Sequence, residues 1–178
     1  MGVNMAGNCI IDDEVCREAS LKEIVRRYYK CMCDQKVSGV VKQDRFKLEL
    51  LMNQAGIAPG DREVEKKAAA CSEAIDGAPA AAIELADGSI VTGKTGPLLG
   101  AASSALLNAL KRLAGIDQEI DLVSSKAIEP IQQLKTTYLG SKNPRLHTDE
   151  ILIALSSSAY ENPIAAAAMR ELPKLRGC

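Results

Sequence analysis

Two polar stretches carry the residue types that could do chemistry. The first, DGSIVTGKTG at 87–96, fits G-x-x-x-x-G-K-[ST], with Gly88, Gly93, Lys94 and Thr95 in the defining places. In a phosphate loop of that form, successive backbone N–H groups wrap a phosphate and the lysine meets its charge. The four intervening residues point elsewhere. Of Ser89, Ile90, Val91 and Thr92, three are β-branched and favour extended backbone. Asp87-Gly88, set between PAAAIEL and SIVTGKT, is a hairpin signal because it accepts positive φ. The stretch therefore reads as a β-hairpin over about 80–93. Gly93 then bends the chain toward a following helix. Lys94 reads as a solvated side chain in preference to an anion contact near that helix start.

The second stretch, LGSKNPRLHTDE at 139–150, is the densest polar cluster. Lys142 and Arg145 are cations, Asn143 offers an amide, and His147 an imidazole of the kind used in general acid–base work. Thr148, Asp149 and Glu150 fit the start of a helix, where a hydroxyl caps free N–H groups and negative charge is favoured. That helix-start reading, with Lys142 and Arg145 solvated, is weighed above a functional one. If the stretch is a site, Lys142, Asn143, Arg145, His147 and Asp149 are its ligand-binding candidates. VNMAGN at 3–8 adds Asn4 and Asn8 in a segment too polar for a core, suited to a ligand-contact loop or to a mobile end.

Other chemistry is less well supported. The six cysteines include a Cys31-x-Cys33 pair, whose spacing is shorter than structural zinc sites use. The lone His147 has no second histidine, so no metal is expected. The serines at 103, 104 and 156–158 lack a G-x-S-x-G setting. Zinc-deaminase chemistry needs H-x-E or C-x-E with a later P-C-x-x-C, and both are missing.

These stretches must be positioned by a mostly helical frame. Helical spacing marks 12–33, with a joint expected near Ser20 from its capping-box pattern with Glu23. DRFKLELLMNQAG ends at Gly56, and Asp61 is placed to cap REVEKKAAACSEAID. After the hairpin, PLLGAASSALLNALKRLAG runs as an apolar helix from Pro97 to Gly115. EIDLVS reads as one further short strand. Helices follow over SKAIEPIQQLKTTYLG, ILIALSSSAYE and PIAAAAMREL, the last capped by Asn162. The fold class is α+β, predominantly helical, with 1–77 a helical segment and 78–178 the hairpin and its helices.

Composition narrows the function classes. Net charge is −1, with one Phe, four Tyr and no Trp, so neither a basic surface nor stacking platforms favour nucleic acid. No apolar run reaches the roughly 20 residues of a membrane-spanning helix, and the first residues lack the form of a signal peptide. A cytoplasmic protein with reduced thiols is expected, without nucleic-acid or membrane partners and with no cofactor in this chain.

Three blocks carry a family likeness: MGVNMAGNCIIDDE, DGSIVTGKT with its helix, and LGSKNPRLHTDEILIALS through LPKLRGC. Together they resemble the C-terminal half of a bacterial family, the domain of unknown function 1846. The resemblance covers essentially the whole chain. It implies a longer cytosolic protein in which Met1 is internal and the chain continues past Cys178. It further implies an N-terminal half of Rossmann-like character with a glycine-rich phosphate loop. That half would be a partner of this one, which would add secondary ligand contacts, interdomain packing and self-association. The family supplies no reaction and no catalytic residue. The rival expectation is a structural or oligomerisation module without a ligand role. From the β-branched loop, ATP with magnesium should produce no saturable shift of the Lys94 amide in an NMR titration. Saturable binding that disappears in Lys94→Ala would restore the phosphate-loop reading.

Overall fold

A computed structural model of the chain describes residues 12–40, 43–176 and 178. Among them are seven α-helices and one two-stranded antiparallel sheet, a predominantly helical α+β fold as expected. The chain divides into two compact units, Met1–Glu63 and Val64–Cys178.

The first unit holds helices α1 (Asp13–Ser38) and α2 (Gln43–Ala55). Asp12 caps α1 through a 3.0 Å bond from the Val15 N–H, and Gly39 ends it in the left-handed region. The joint expected at Ser20 does not form. Its hydroxyl donates back to the Cys16 carbonyl at 2.7 Å, an intrahelical bond that leaves the helix continuous. Buried apolar contact here is thin, coming from Val25, Leu48 and Met52. Polar bonds supplement it: Arg45 reaches Gln35 and Glu49, both at 2.9 Å. Phe46 and Leu50, one turn apart on α2, are exposed. Asp61 does not cap the next helix; its carboxylate accepts from the Ala58 N–H at 2.7 Å, closing a short 3₁₀ turn.

The second unit begins in α3 (Glu63–Glu73), followed by strands β1 (Ala80–Glu84) and β2 (Ile90–Lys94). The register pairs Ala80 with Lys94 and Glu84 with Ile90. Gly88, at φ 79°, makes the turn. Residues 90–94 are therefore extended in a paired strand and do not wrap as a phosphate loop would. Gly93 does not bend the chain toward the helix, as its position before Pro97 suggested. It lies within β2, opposite Ala81, and is buried beneath α4 (Ala101–Ala114). A Cβ on Gly93 would overlap the Ala105 backbone and lie 2.7 Å from the Ala101 carbonyl oxygen. Glycine here permits helix and strand to touch backbone to backbone.

Helix α4 starts later than Pro97 suggested, with Gly100 at its N-cap position, because Leu98 and Leu99 are engaged elsewhere. Its end at Gly115 is as expected. The expected strand EIDLVS is a bent connection: Leu122 and Val123, adjacent in sequence, are both buried in the core. Consecutive strand residues would point to opposite faces, so only a bend delivers both inward. Helices α5 (Ser125–Gln133), α6 (Thr148–Ser158) and α7 (Pro163–Arg170) complete the unit. A π-helical turn, Leu134–Tyr138, extends α5. Asn162 caps α7, accepting from Ile164 at 2.9 Å and Ala165 at 3.4 Å. The core gathers Leu107 and Leu110 of α4, Ile128 of α5, Leu146 of the connection before α6, Ile151 and Leu155 of α6, and Ala165 and Ala168 of α7.

Gly93→Val should destabilise the chain by about 3 kcal/mol or more, since backbone atoms cannot make room as a side chain would. Gly96→Ala, where an added Cβ meets nothing within 4 Å, should change stability by less than about 1 kcal/mol. Thermal melts of the two variants give the comparison.

Candidate functional site

The polar stretch 139–150 looks like a surface loop in sequence, but its centre is fixed. Leu146 is fully buried. Its N–H donates to the Leu98 carbonyl at 2.9 Å, and its own carbonyl accepts from the Gly100 N–H at 3.1 Å. The same carbonyl accepts from the buried Ser103 hydroxyl at 2.8 Å. Leu99 and Leu146 thereby form a parallel bridge. One buried side chain and these backbone bonds hold the loop against residues 96–100, the segment that follows the GKT run.

Around that anchor the candidate residues take separate places. Arg145 is exposed, yet its Nε donates to the Gly96 carbonyl at 2.8 Å. Asn143 folds the loop locally: its Oδ1 accepts from the Arg145 N–H at 3.1 Å, and its amide nitrogen lies 3.4 Å from His147 Nε2. Asn143, Arg145 and His147 are thus brought together. Lys142 stands exposed on the same loop, and Asp149 is exposed in the first turn of α6. Asn4 and Asn8 lie outside the described residues.

The helix start differs from the expectation that Thr148 caps it. His147 occupies the N-cap position, and the returning bond comes from Glu150, which accepts from the His147 N–H at 2.7 Å. The same oxygen, Oε2, receives Lys135 Nζ at 2.7 Å. Lys135 is buried and also donates to the Arg145 carbonyl at 2.7 Å. This lysine rises from the π-helical turn, whose wider hydrogen-bond spacing displaces it from the ordinary helical track. Burial pushes the Glu150 carboxyl up, but the bonds from Lys135 and the His147 N–H outweigh it and hold the group below its ordinary range.

Lys142, Arg145 and His147 put positive or protonatable groups on the exposed side of an anchored loop. Glu150, the nearest carboxylate in the bonding pattern, is neutralised from within by Lys135. The His147 ring has an amide beside it, whereas Glu150 bonds the His147 backbone. Among the described residues no group of three or more His, Cys, Asp or Glu could hold a metal ion, and no helix is long and apolar enough to cross a membrane.

Residue type alone does not mark Lys135, Leu146 or the Gly96 carbonyl, and it marks Ser103 only as a serine outside a nucleophile setting. Leu146, a lone apolar residue in a polar run, was the available signal. Because the folded carboxyl of Glu150 sits below its unfolded value, the pair contributes fully at neutral pH. That contribution is full above the ordinary glutamate range and is lost as pH falls below it, through the lowered folded value. Glu150→Gln should cost about 1–3 kcal/mol at neutral pH and flatten the acid limb of a stability–pH curve. An unchanged acid limb would show that the pair contributes little.

Comparison with known proteins places the chain in a family. Residues 60–178 match the C-terminal model of the domain of unknown function DUF1846, and residues 1–56 match its N-terminal model. The expectation that the whole chain lies in the C-terminal half is corrected accordingly: its first 56 residues are similar to the N-terminal part. A UPF0371 protein of Corynebacterium aurimucosum is 54% identical over 178 residues. Another from Corynebacterium urealyticum is 53% identical over the same length. One from Streptococcus pneumoniae serotype 19F is 51% identical over 177 residues. The chain is covered at 99–100% in these matches but spans only 36% of each relative. The chain therefore belongs to the DUF1846 family of proteins of unknown function.

Proposed function

We propose that this chain supplies secondary contacts to an anionic, phosphorylated ligand whose main binding site is in the remainder of the full-length protein. The carrying observation is the anchored loop at 141–149. Leu146 and its backbone bonds fix the loop, while Lys142, Arg145 and His147 stay exposed on it. An ordered loop loses less entropy on binding than a mobile one. Arg145 keeps its remaining guanidinium donors for a partner while Nε is held by Gly96, and guanidinium geometry suits phosphate oxygens. The role is recognition rather than bond-making, given the amide beside His147. The site would belong to a cytoplasmic protein.

A second reading, a packing module without a ligand role, is favoured by exposed apolar side chains. Phe46 and Leu50 on α2, and Tyr138 and Leu139 at the end of the π-helical turn, stand open. Such surface suits burial against other protein.

Inorganic phosphate titrated into the chain should shift the backbone amides of 142–149, with salt-dependent affinity. Lys142→Ala should abolish or weaken the shifts while changing stability by less than about 0.5 kcal/mol. Arg145→Ala should weaken binding at a slightly larger stability cost, because the Gly96 bond goes with it. Unchanged shifts in both variants, or melting temperatures that fall without loss of affinity, would assign the loop to architecture.

A further inference from the structure

Two contacts decide which way round the Asn143 amide lies. Its Oδ1 accepts from the Arg145 N–H at 3.1 Å, and its Nδ2 lies 3.4 Å from His147 Nε2. Turning the amide over exchanges its oxygen and nitrogen, so the surrounding bonds choose between the two orientations. The turned amide would set its NH2 against the Arg145 N–H, donor against donor. The backbone on either side resists a shift that would relieve this. Lys135 Nζ donates to the Arg145 carbonyl at 2.7 Å, and the Asn143 N–H donates to Ser141 Oγ at 3.2 Å. Asn143 therefore turns its NH2 toward the His147 ring.

That orientation carries over to the histidine. A neutral imidazole has one N–H and one bare nitrogen. With an amide donor facing Nε2, the bare nitrogen is Nε2 and the proton sits on Nδ1. His147 occupies the N-cap position of α6, yet its ring makes no cap bond to the helix. Nδ1 has no hydrogen-bond partner among the described residues. An unused donor is thus left on an exposed residue of the anchored loop.

We infer that Asn143 is a positioning residue that sets the tautomer of neutral His147, so that the ring meets the anionic ligand of this loop as a donor through Nδ1–H. Only the ligand contact rests on the function proposed above; the tautomer follows from the bonds of Asn143. Nε2, the nitrogen that could take a proton, is occupied by the amide. The ligand atom at His147 is then an unprotonated oxygen, which accepts, and a ligand hydroxyl or amine that needs an acceptor finds none there. The roles on the loop divide accordingly. Lys142 and Arg145 supply charge, while His147 supplies a directed hydrogen bond that depends on which nitrogen carries the proton. The second-row partner that fixes a histidine tautomer is commonly a carboxylate or a carbonyl, acting as acceptor; here an amide acts as donor and selects the opposite nitrogen.

The chain has a single histidine, so long-range proton–nitrogen NMR spectra of the isotope-labelled chain report this ring alone. Recorded in alkaline solution that leaves the ring neutral, they should show Nδ1 protonated and Nε2 bare, the reverse of the form an unconstrained histidine favours. Asn143→Asp keeps an acceptor for the Arg145 N–H but puts an oxygen where the NH2 stood, and should move the proton to Nε2. Asn143→Ala removes both bonds and should relax the ring toward the unconstrained form. Inorganic phosphate added to the wild type should move the Nδ1 resonance and leave Nε2 nearly in place. A wild-type ring protonated on Nε2, or the same tautomer in wild type and folded Asn143→Asp, would overturn the positioning role. The wild-type spectrum decides the matter if the variants fold poorly. Phosphate that shifts the amides of 142–149 but moves Nε2 in place of Nδ1 would overturn the donor role. Phosphate that moves neither the ring nor those amides would overturn the ligand role of the loop, and the donor role with it, while the tautomer result stands.

Discussion

The arrangement of the second unit depends on the burial of Leu146. A leucine side chain that leaves water completely contributes roughly 1.5–3 kcal/mol, and here its backbone is satisfied on both sides as well. The N–H reaches Leu98 and the carbonyl takes the Gly100 N–H and the Ser103 hydroxyl. Buried backbone groups without partners are costly, so the side chain can enter the core only if these partners are in place. That requirement fixes three things together: where α4 begins, where α6 begins, and where the charged residues between α5 and α6 stand.

The anchor has an electrostatic counterpart. A carboxylate capping a helix at the edge of a core would weaken any anion site beside it. Lys135 removes that conflict by meeting the same Glu150 oxygen that closes the start of α6. The lysine stem is buried and its ammonium also satisfies the Arg145 carbonyl, which keeps the pair from being a net burden of unpaired charge. The exposed side of the loop is then left with Lys142, Arg145 and His147, with the Asp149 carboxylate exposed just beyond them in the first turn of α6.

Close contact governs the sheet in the same way. With no side chain at Gly93, α4 sits directly on the hairpin, and two short strands gain the packing that an isolated hairpin lacks.

Much of the frame is legible in the residues themselves, because its signals are local. Asp87-Gly88 and the β-branched run fix a hairpin where a phosphate-loop pattern matches by letter. Asn162 and Gly115 mark helix ends through bonds and backbone angles that involve a few neighbouring residues. The polar stretch at 139–150 is likewise visible as a cluster of functional groups. Tertiary structure decided the rest, where partners are distant along the chain. Leu122 and Val123 leave a strand-like run because both are drawn into one core. His147 rather than Thr148 stands at the N-cap of α6, and Glu150, which bonds its N–H, is also held by Lys135 fifteen residues earlier. Gly93 is needed for a contact with Ala105, which no pattern around residue 93 encodes. Local chemistry in the sequence determined the elements and the candidate groups; the core, by choosing which backbone atoms must be satisfied at long range, decided where those groups stand.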